Sequence, residues 1–296
     1  MNKNYILKRF IVLILVILII FLPVGCSVNG NSEISPLTVN ILDVGKADAI
    51  IIVSDSHAML IDTGEKDDGQ KIADFLENHN IKKVDAMVIT HFDKDHIGGA
   101  PFILKNIPVE TVYIPNYKGV NEEYKNFIKA LNESDASINK LNEDTDFSFA
   151  NSKVLIEPPA SYSIPKGNVD YDNNFSLITT LIHGKNRFVF MGDAQKERIL
   201  DWLDNGNATE CSFLKVPHHG IYNKALEPLF EKMSAQISVI CSSKKHPADS
   251  KTIDLLKKYC REIYETKDGD ICVTSDGHSL KVCQKERSNK NGTDCI

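Results

Sequence analysis

The chain has 296 residues, 42% of them hydrophobic and 25% charged, with a formal net charge of −6. That length holds one large domain or two small ones, and the composition is that of a globular protein. The acidic balance excludes a broad nucleic-acid-binding surface and leaves room only for a local basic groove.

Lys3, Lys8 and Arg9 precede or open onto a wholly apolar run, 10–22. A charged head and a short apolar run form the pattern of an export signal, and the run falls short of the roughly 20 residues of a spanning helix. Pro23-Val24-Gly25-Cys26-Ser27 resembles a bacterial lipoprotein cleavage box with Cys26 as the lipidated residue. Pro23 departs from that box, where Leu is usual, and Leu22 stands one place off. A lipoprotein, an uncleaved anchor and simple secretion stay open, and each puts the folded part outside the cytoplasm. Residues 1–25 read as a signal peptide and 26–36 as a polar tether. The expected partner is the membrane, through lipidated Cys26 or the N-terminal anchor.

Leu37 to Asp43 alternates apolar and polar residues, a strand pattern. Asp43 to Ala49 is a turn, Ile50 to Val53 a second strand, and Ala58 to Asp62 a third. Asp62 either accepts the N–H of a ligand histidine or caps a turn. Gln70 to His79 reads as a helix, with Ile72, Phe75, Leu76 and His79 on one face; His79 is expected at its boundary.

Val84 to Ile89 is an apolar run that reads as a buried strand, followed by His91, Asp93, Asp95 and His96 and then Gly98-Gly99. Four ionisable side chains crowded after a buried strand repel one another or need desolvating unless something pairs with them. One or two divalent cations are the natural partner. Beyond it, Gly99 to Asn106 reads as a short helix and Glu110 to Ile114 as a strand. Residues 116–150 are polar, with a helix over Glu122 to Leu131. Lys153 to Ile156 is a strand, and Ser161 to Asp172 is irregular, a candidate wall over the site.

In Asp172-Asn173-Asn174, Asp172 or Asn174 supplies an oxygen ligand or caps a turn. Ser176 to Ile182 and Arg187 to Met191 form a hairpin with His183 exposed at its turn. Its second strand ends in Met191-Gly192-Asp193-Ala194, where Asp193 either bridges cations or caps the helix that follows. Phe213 to Val216 is a strand leading into Pro217-His218-His219-Gly220. A helix over Ala225 to Met233, a strand over Ile237 to Cys241 and a helix from Ser250 follow, then short strands over Ile263 to Thr266, Asp270 to Thr274 and Ser279 to Val282. Residues 284–296 read as a disordered polar tail. Beyond Cys26 lie Cys211, Cys241, Cys260, Cys272, Cys283 and Cys295, an even number that permits disulfides in an exported protein. No Cys-x-x-Cys occurs, which argues against a thiolate zinc site.

Thr90-His91-x-Asp93-x-Asp95-His96-x-Gly98-Gly99 resembles the metal motif of the metallo-β-lactamase fold, with Asp93 where a second His is usual. With the turn at Asp43 to Ala49, the Asn173-Asn174-x-Ser176 run, Met191-Gly192-Asp193-Ala194 and Val216-Pro217-His218-His219-Gly220, it resembles the hydrolase domain of ComEC/Rec2 competence proteins. Lys46, Ala47 and Ile221 depart from that pattern. The resemblance covers about residues 37–283 and implies an α/β, four-layer αββα sandwich.

It also implies a ligand set of His91, Asp93, Asp95, His96, Asp193 and His218 around two divalent metal ions, Zn or Mn. His91 and Asp93 serve one ion, Asp95, His96 and His218 the other, and Asp193 lies between. Asp95 orients or deprotonates a metal-activated water, His219 faces substrate or supports a ligand, and His246 contacts substrate or transition state at the rim. The activity implied is that of a phosphodiesterase or nuclease acting on DNA outside the cytoplasm. An ester, amide or β-lactam hydrolase and an inactive surface binding module are the alternatives. No nucleotide cofactor is expected.

Overall fold

The computed structural model describes residues 34–163 and 171–285. The signal peptide, Cys26, most of the tether and all but the first two residues of the polar tail lie outside them. Among the described residues no helix is long and apolar enough to cross a membrane.

Two mixed sheets are built in chain order. The first half supplies β1 (Leu37–Ile41), β2 (Ala49–Ser54), β3 (His57–Thr63), α1 (Asp68–Asn78), β4 (Val84–Val88), α2 (Lys94–Ile97), α3 (Ala100–Asn106), β5 (Val109–Pro115), α4 (Glu122–Glu133) and β6 (Ser137–Leu141). The second supplies β7 (Thr145–Phe149), β8 (Ser152–Glu157), β9 (Ile178–His183), β10 (Asn186–Phe190), α5 (Lys196–Asp204), β11 (Phe213–Lys215), α6 (Leu226–Met233), β12 (Ile237–Ile240), α7 (Ser250–Tyr259) and β13 (Glu262–Glu265). β14 (Ile271–Ser275) and β15 (Leu280–Gln284) then return to the first sheet. The strand orders are β15-β14-β1-β2-β3-β4-β5-β6 and β13-β12-β11-β10-β9-β8-β7.

The expected αββα sandwich is what the apolar residues make. Leu37, Val39 and Ile41 of β1 meet Val154, Leu181, Phe188 and Phe213 in a core between the sheets. Ile51 and Leu60 point the other way and pack with Ile72, Leu76, Ile103 and Phe127 of the helices on the first sheet. Val189, Leu214 and Ile240 do the same with Trp202, Phe230 and Leu256 on the second. The period-2 alternation of each strand thus feeds two cores at once. Cys211, Cys241 and Cys260 are buried thiols that fill space as small hydrophobes.

Two expectations fail. The stretch 116–150 holds two strands besides its helix: β6 pairs parallel with β5, and β7 antiparallel with β8. Both are outermost strands: β6 is almost wholly exposed and polar, whereas β7 alternates, turning Phe147 and Phe149 toward the core between the sheets. His183 is fully buried instead of exposed. Its Nδ1 lies 2.7 Å from the Ser275 hydroxyl and its Nε2 3.0 Å from the Ser35 carbonyl, so a neutral ring accepts from one and donates to the other.

Burial holds the His183 pKa below its ordinary 6.5. A depressed pKa means that the unfolded chain takes the proton first. The ring's contribution is therefore complete above pH 6.5 and lost as pH falls through the folded value, at up to about 1.4 kcal/mol per pH unit. Thermal melts between pH 7.5 and 5 are expected to show a shallower pH slope for His183→Gln than for the parent. Equal slopes would contradict this account.

Candidate metal centre

β4 delivers the first ligands. Its apolar residues are buried, and the chain leaves it through Ile89-Thr90-His91 before α2 starts after an extended Asp93. Gly99 lets that loop lie flat against the end of β3: a Cβ there would come within 2.3 Å of the Thr63 carbonyl oxygen. The close approach puts His96 beside Asp62. The Asp62 carboxylate accepts from His96 Nδ1 at 2.7 Å, from Thr90 Oγ1 at 2.7 Å and from the Thr90 amide at 2.8 Å. Of its two readings, Asp62 is the histidine partner, and its own backbone is left-handed (φ 55°).

The second sheet supplies the rest. Gly192, also left-handed (φ 52°), brings the end of β10 against Thr90, where a Cβ would sit 2.8 Å from the Thr90 Cβ. The next residue is Asp193, whose amide donates to Ser176 Oγ at 3.1 Å. Asp193 Oδ2 lies 3.3 Å from His96 Nε2 and 3.1 Å from His219 Nε2. His219 Nε2 is also 3.5 Å from Asp95 Oδ2, and His91 Nε2 is 3.5 Å from Asp93 Oδ2. Asp193 thus joins the two strand ends, rather than only capping α5.

The expected ligands His91, Asp93, Asp95, His96 and Asp193 are therefore brought together. Of the two adjacent histidines, His219 and not His218, the expected ligand, stands in the close donor groups. His219 shares close groups of donor atoms with Asp95 and His96 and with Asp48 and Asp193. The His218 ring points elsewhere, with Nε2 3.5 Å from the Asn173 amide nitrogen. Both residues have left-handed backbone (φ 48° and 52°), and His219 Nδ1 is tied to the Cys241 carbonyl at 3.0 Å, which aims Nε2 inward. His246 is exposed on a turn closed by reciprocal backbone bonds with Ser243, outside these groups. Asp172 lies against Asp93 and His91. Asn174 instead accepts the Arg198 amide at the start of α5, at 3.1 Å.

Two residues were not anticipated. Asp48, after the first turn, is buried and pairs with the fully buried Lys215 ammonium of β11. Lys215 Nζ also donates to the Gly192 carbonyl at 2.9 Å and lies 3.7 Å from Asp193 Oδ1. The available signal was a lysine inside the apolar strand Phe213-Leu214-Lys215-Val216, since a buried lysine requires a partner.

The donor set fits divalent cations. His91 Nε2, His96 Nε2 and His219 Nε2 are buried without a hydrogen-bond partner, as are Asp48 Oδ1 and Asp193 Oδ1. One atom each from His91, His96 and Asp193 lies within 4.8 Å of the others. Imidazole and carboxylate together suit zinc and, with this many carboxylates, manganese. Crowding sets the charges. Burial pulls the His96 pKa down, but the Asp193, Asp62 and Asp48 carboxylates outweigh it and raise it well above the usual value. Burial likewise opposes, and Asp193 and Asp95 overcome it, to bring His219 to about 9. Burial raises Asp193 and Asp95, yet the facing histidines hold both below the carboxylate range.

At pH 7 these two imidazoles carry protons that a cation must displace. Titration with Zn²⁺ or Mn²⁺ in buffers of different ionisation enthalpy is expected to show release of about two protons, and tighter binding as pH rises from 6 to 8. Binding without proton release would contradict the assignment of His96 and His219 as ligands.

Residues 42–160 match the family model of the metallo-beta-lactamase superfamily. Over that stretch the chain carries a metallo-beta-lactamase domain. Over 252 residues, 77% of this chain, it is 26% identical to ComE operon protein 3 of Bacillus subtilis, and it spans 31% of that protein's length. Ribonuclease J of Mycoplasma genitalium is 39% identical over 70 residues, 23% of this chain and 11% of that protein. The metallo-beta-lactamase fold protein YhfI from Bacillus subtilis superposes with a TM-score of 0.55 at 10% identity, covering 84% of this chain and all of that one. That likeness concerns the fold alone. The chain thus has the two-sheet metallo-beta-lactamase fold, with buried groups of histidines and carboxylates that could hold a metal.

Proposed function

We propose that this metallo-beta-lactamase domain is a metal-dependent phosphodiester hydrolase whose substrate is nucleic acid, working outside the cytoplasm and held to the membrane through Cys26 or the N-terminal anchor. The observation that carries the reading is the donor set: Asp95 and Asp193 grouped with His91, His96 and His219, with Asp93 against His91 and Asp172 beside both. A carboxylate-rich cradle favours hard, oxygen-seeking cations, the kind that bind phosphoryl oxygens. The stretch shared with Ribonuclease J supports nucleic acid as the substrate.

His91, Asp93, Asp95, His96, Asp193 and His219 would hold the cations. Bound there, the cations would supply Lewis acidity toward phosphoryl oxygens and acidify a water. The chain's own groups do the rest. Asp95, whose Oδ2 lies 3.5 Å from His219 Nε2, would take the proton of the attacking water on its carboxylate. Asp62 fixes the His96 ring through Nδ1. Asn173 Nδ2 lies 3.5 Å from His218 Nε2 and holds that ring beside the cluster. Burial of His91, His96 and His219 keeps bulk water from the donor atoms.

Hydrolysis of bis(p-nitrophenyl) phosphate and of a single-stranded oligonucleotide, with Mn²⁺ or Zn²⁺ and with chelator, tests the proposal. Metal-dependent cleavage of both is expected. Turnover of esters or β-lactams alone, or metal uptake without turnover, would overturn it. A Cys26→Ala chain is expected to leave the membrane fraction, and its retention there would overturn lipid anchoring through that residue.

A further inference from the structure

Lys215 is charged, yet it sits in a strand whose other members, Phe213 and Leu214, are also fully buried. Its ammonium is surrounded by oxygen: the Asp48 carboxylate, the Gly192 carbonyl at 2.9 Å, and Asp193 Oδ1 at 3.7 Å. Asp48, Asp193 and His219 each offer a donor atom within 4.8 Å of the others, and all three are buried. Asp48 Oδ1 and Asp193 Oδ1 have no hydrogen-bond partner. Two carboxylates, a carbonyl and an imidazole are the surroundings that a divalent cation takes.

We propose that the Lys215 ammonium is a resident counter-ion that holds a cation position of its own, between Asp48 and Asp193, and so keeps a further metal out. A tethered single charge there offsets two buried carboxylates whether or not metal is present. Left alone, those carboxylates would repel and would draw a proton or a cation. The ammonium also sorts the two oxygens of Asp193. Oδ1 faces Lys215, and Oδ2 faces His96 at 3.3 Å and His219 at 3.1 Å. Lys215 is thus a positioning residue for the carboxylate that joins the two sheets. The inference rests on the metal reading of the cluster and not on the substrate, and the parent protein's own metal content tests that reading separately.

The test is the Mn²⁺ stoichiometry of the full chain, by native mass spectrometry, with thermal melts in the absence and presence of Mn²⁺. Lys215→Met is expected to melt well below the parent without metal, to recover with Mn²⁺, and to take up one equivalent more than the parent. The double variant Asp48→Asn/Lys215→Met removes both members of the pair. It is expected to melt near the parent without metal and to bind the parent's number of ions. A Lys215→Met protein that folds and takes no additional ion overturns the proposal. Should Lys215→Met not fold even with Mn²⁺, the double variant decides: folding supports charge compensation by Lys215, and failure to fold overturns it.

Discussion

His219→Ala is expected to lower metal-dependent phosphodiester turnover by roughly a thousandfold and to reduce bound metal, while His218→Ala keeps the parent's metal content. The contrast follows from neighbouring residues with opposite surroundings. His219 is buried, fixed at Nδ1 by the Cys241 carbonyl, and its Nε2 meets Asp193 and Asp95 at 3.1 and 3.5 Å. Without it, buried Asp193 and half-buried Asp95 lose a group that holds their pKa values down, and the cluster loses a neutral nitrogen donor once metal is bound. His218 has no such role, because its ring turns toward Asn173. Metal content by elemental analysis, measured beside turnover for both variants, separates the two histidines. Loss of metal in His218→Ala with retention in His219→Ala would reverse the assignment.

Asp62→Asn is expected to weaken metal binding by about 10–100-fold with the fold retained. Asp62 is fully buried. It accepts three hydrogen bonds, from His96 Nδ1, Thr90 Oγ1 and the Thr90 amide. An asparagine retains one acceptor oxygen for the Thr90 amide and turns a donor toward His96. The imidazole then loses the partner that fixes its tautomer and raises its basicity, and Nε2 is no longer held for metal. Competition with a chromophoric chelator reads the affinity, and circular dichroism reads the fold. Unchanged affinity would show that the His96 ring is oriented by packing alone.

The parts of the centre legible from residues alone were those within one short segment. His91, Asp93, Asp95 and His96 follow a buried strand within six positions, so the chain itself brings them close. Asp193 was legible because a glycine before an acid at a strand end permits a close approach. The histidine pair was not. Which of two adjacent rings turns inward depends on left-handed backbone at both positions, and no pattern of apolar residues encodes that. Asp48 and Lys215 lie far apart in sequence, and each has meaning only through the other. In the fold, most strands with an apolar alternation were legible, whereas outermost, polar β6 was not, nor was short β7 despite its alternating Phe147 and Phe149.

The provenance of the donors has its own consequence. His91, Asp93, Asp95, His96 and Asp62 come from the half of the chain that builds most of the eight-stranded sheet, and Asp193, Lys215 and His219 from the half that builds the seven-stranded one. The family match, 42–160, ends before any of the latter group. A gene fragment encoding only that recognisable stretch would carry the signature yet lack the opposing jaw of the clamp. The donor cluster thus needs both halves, and the matched stretch alone supplies one side of it.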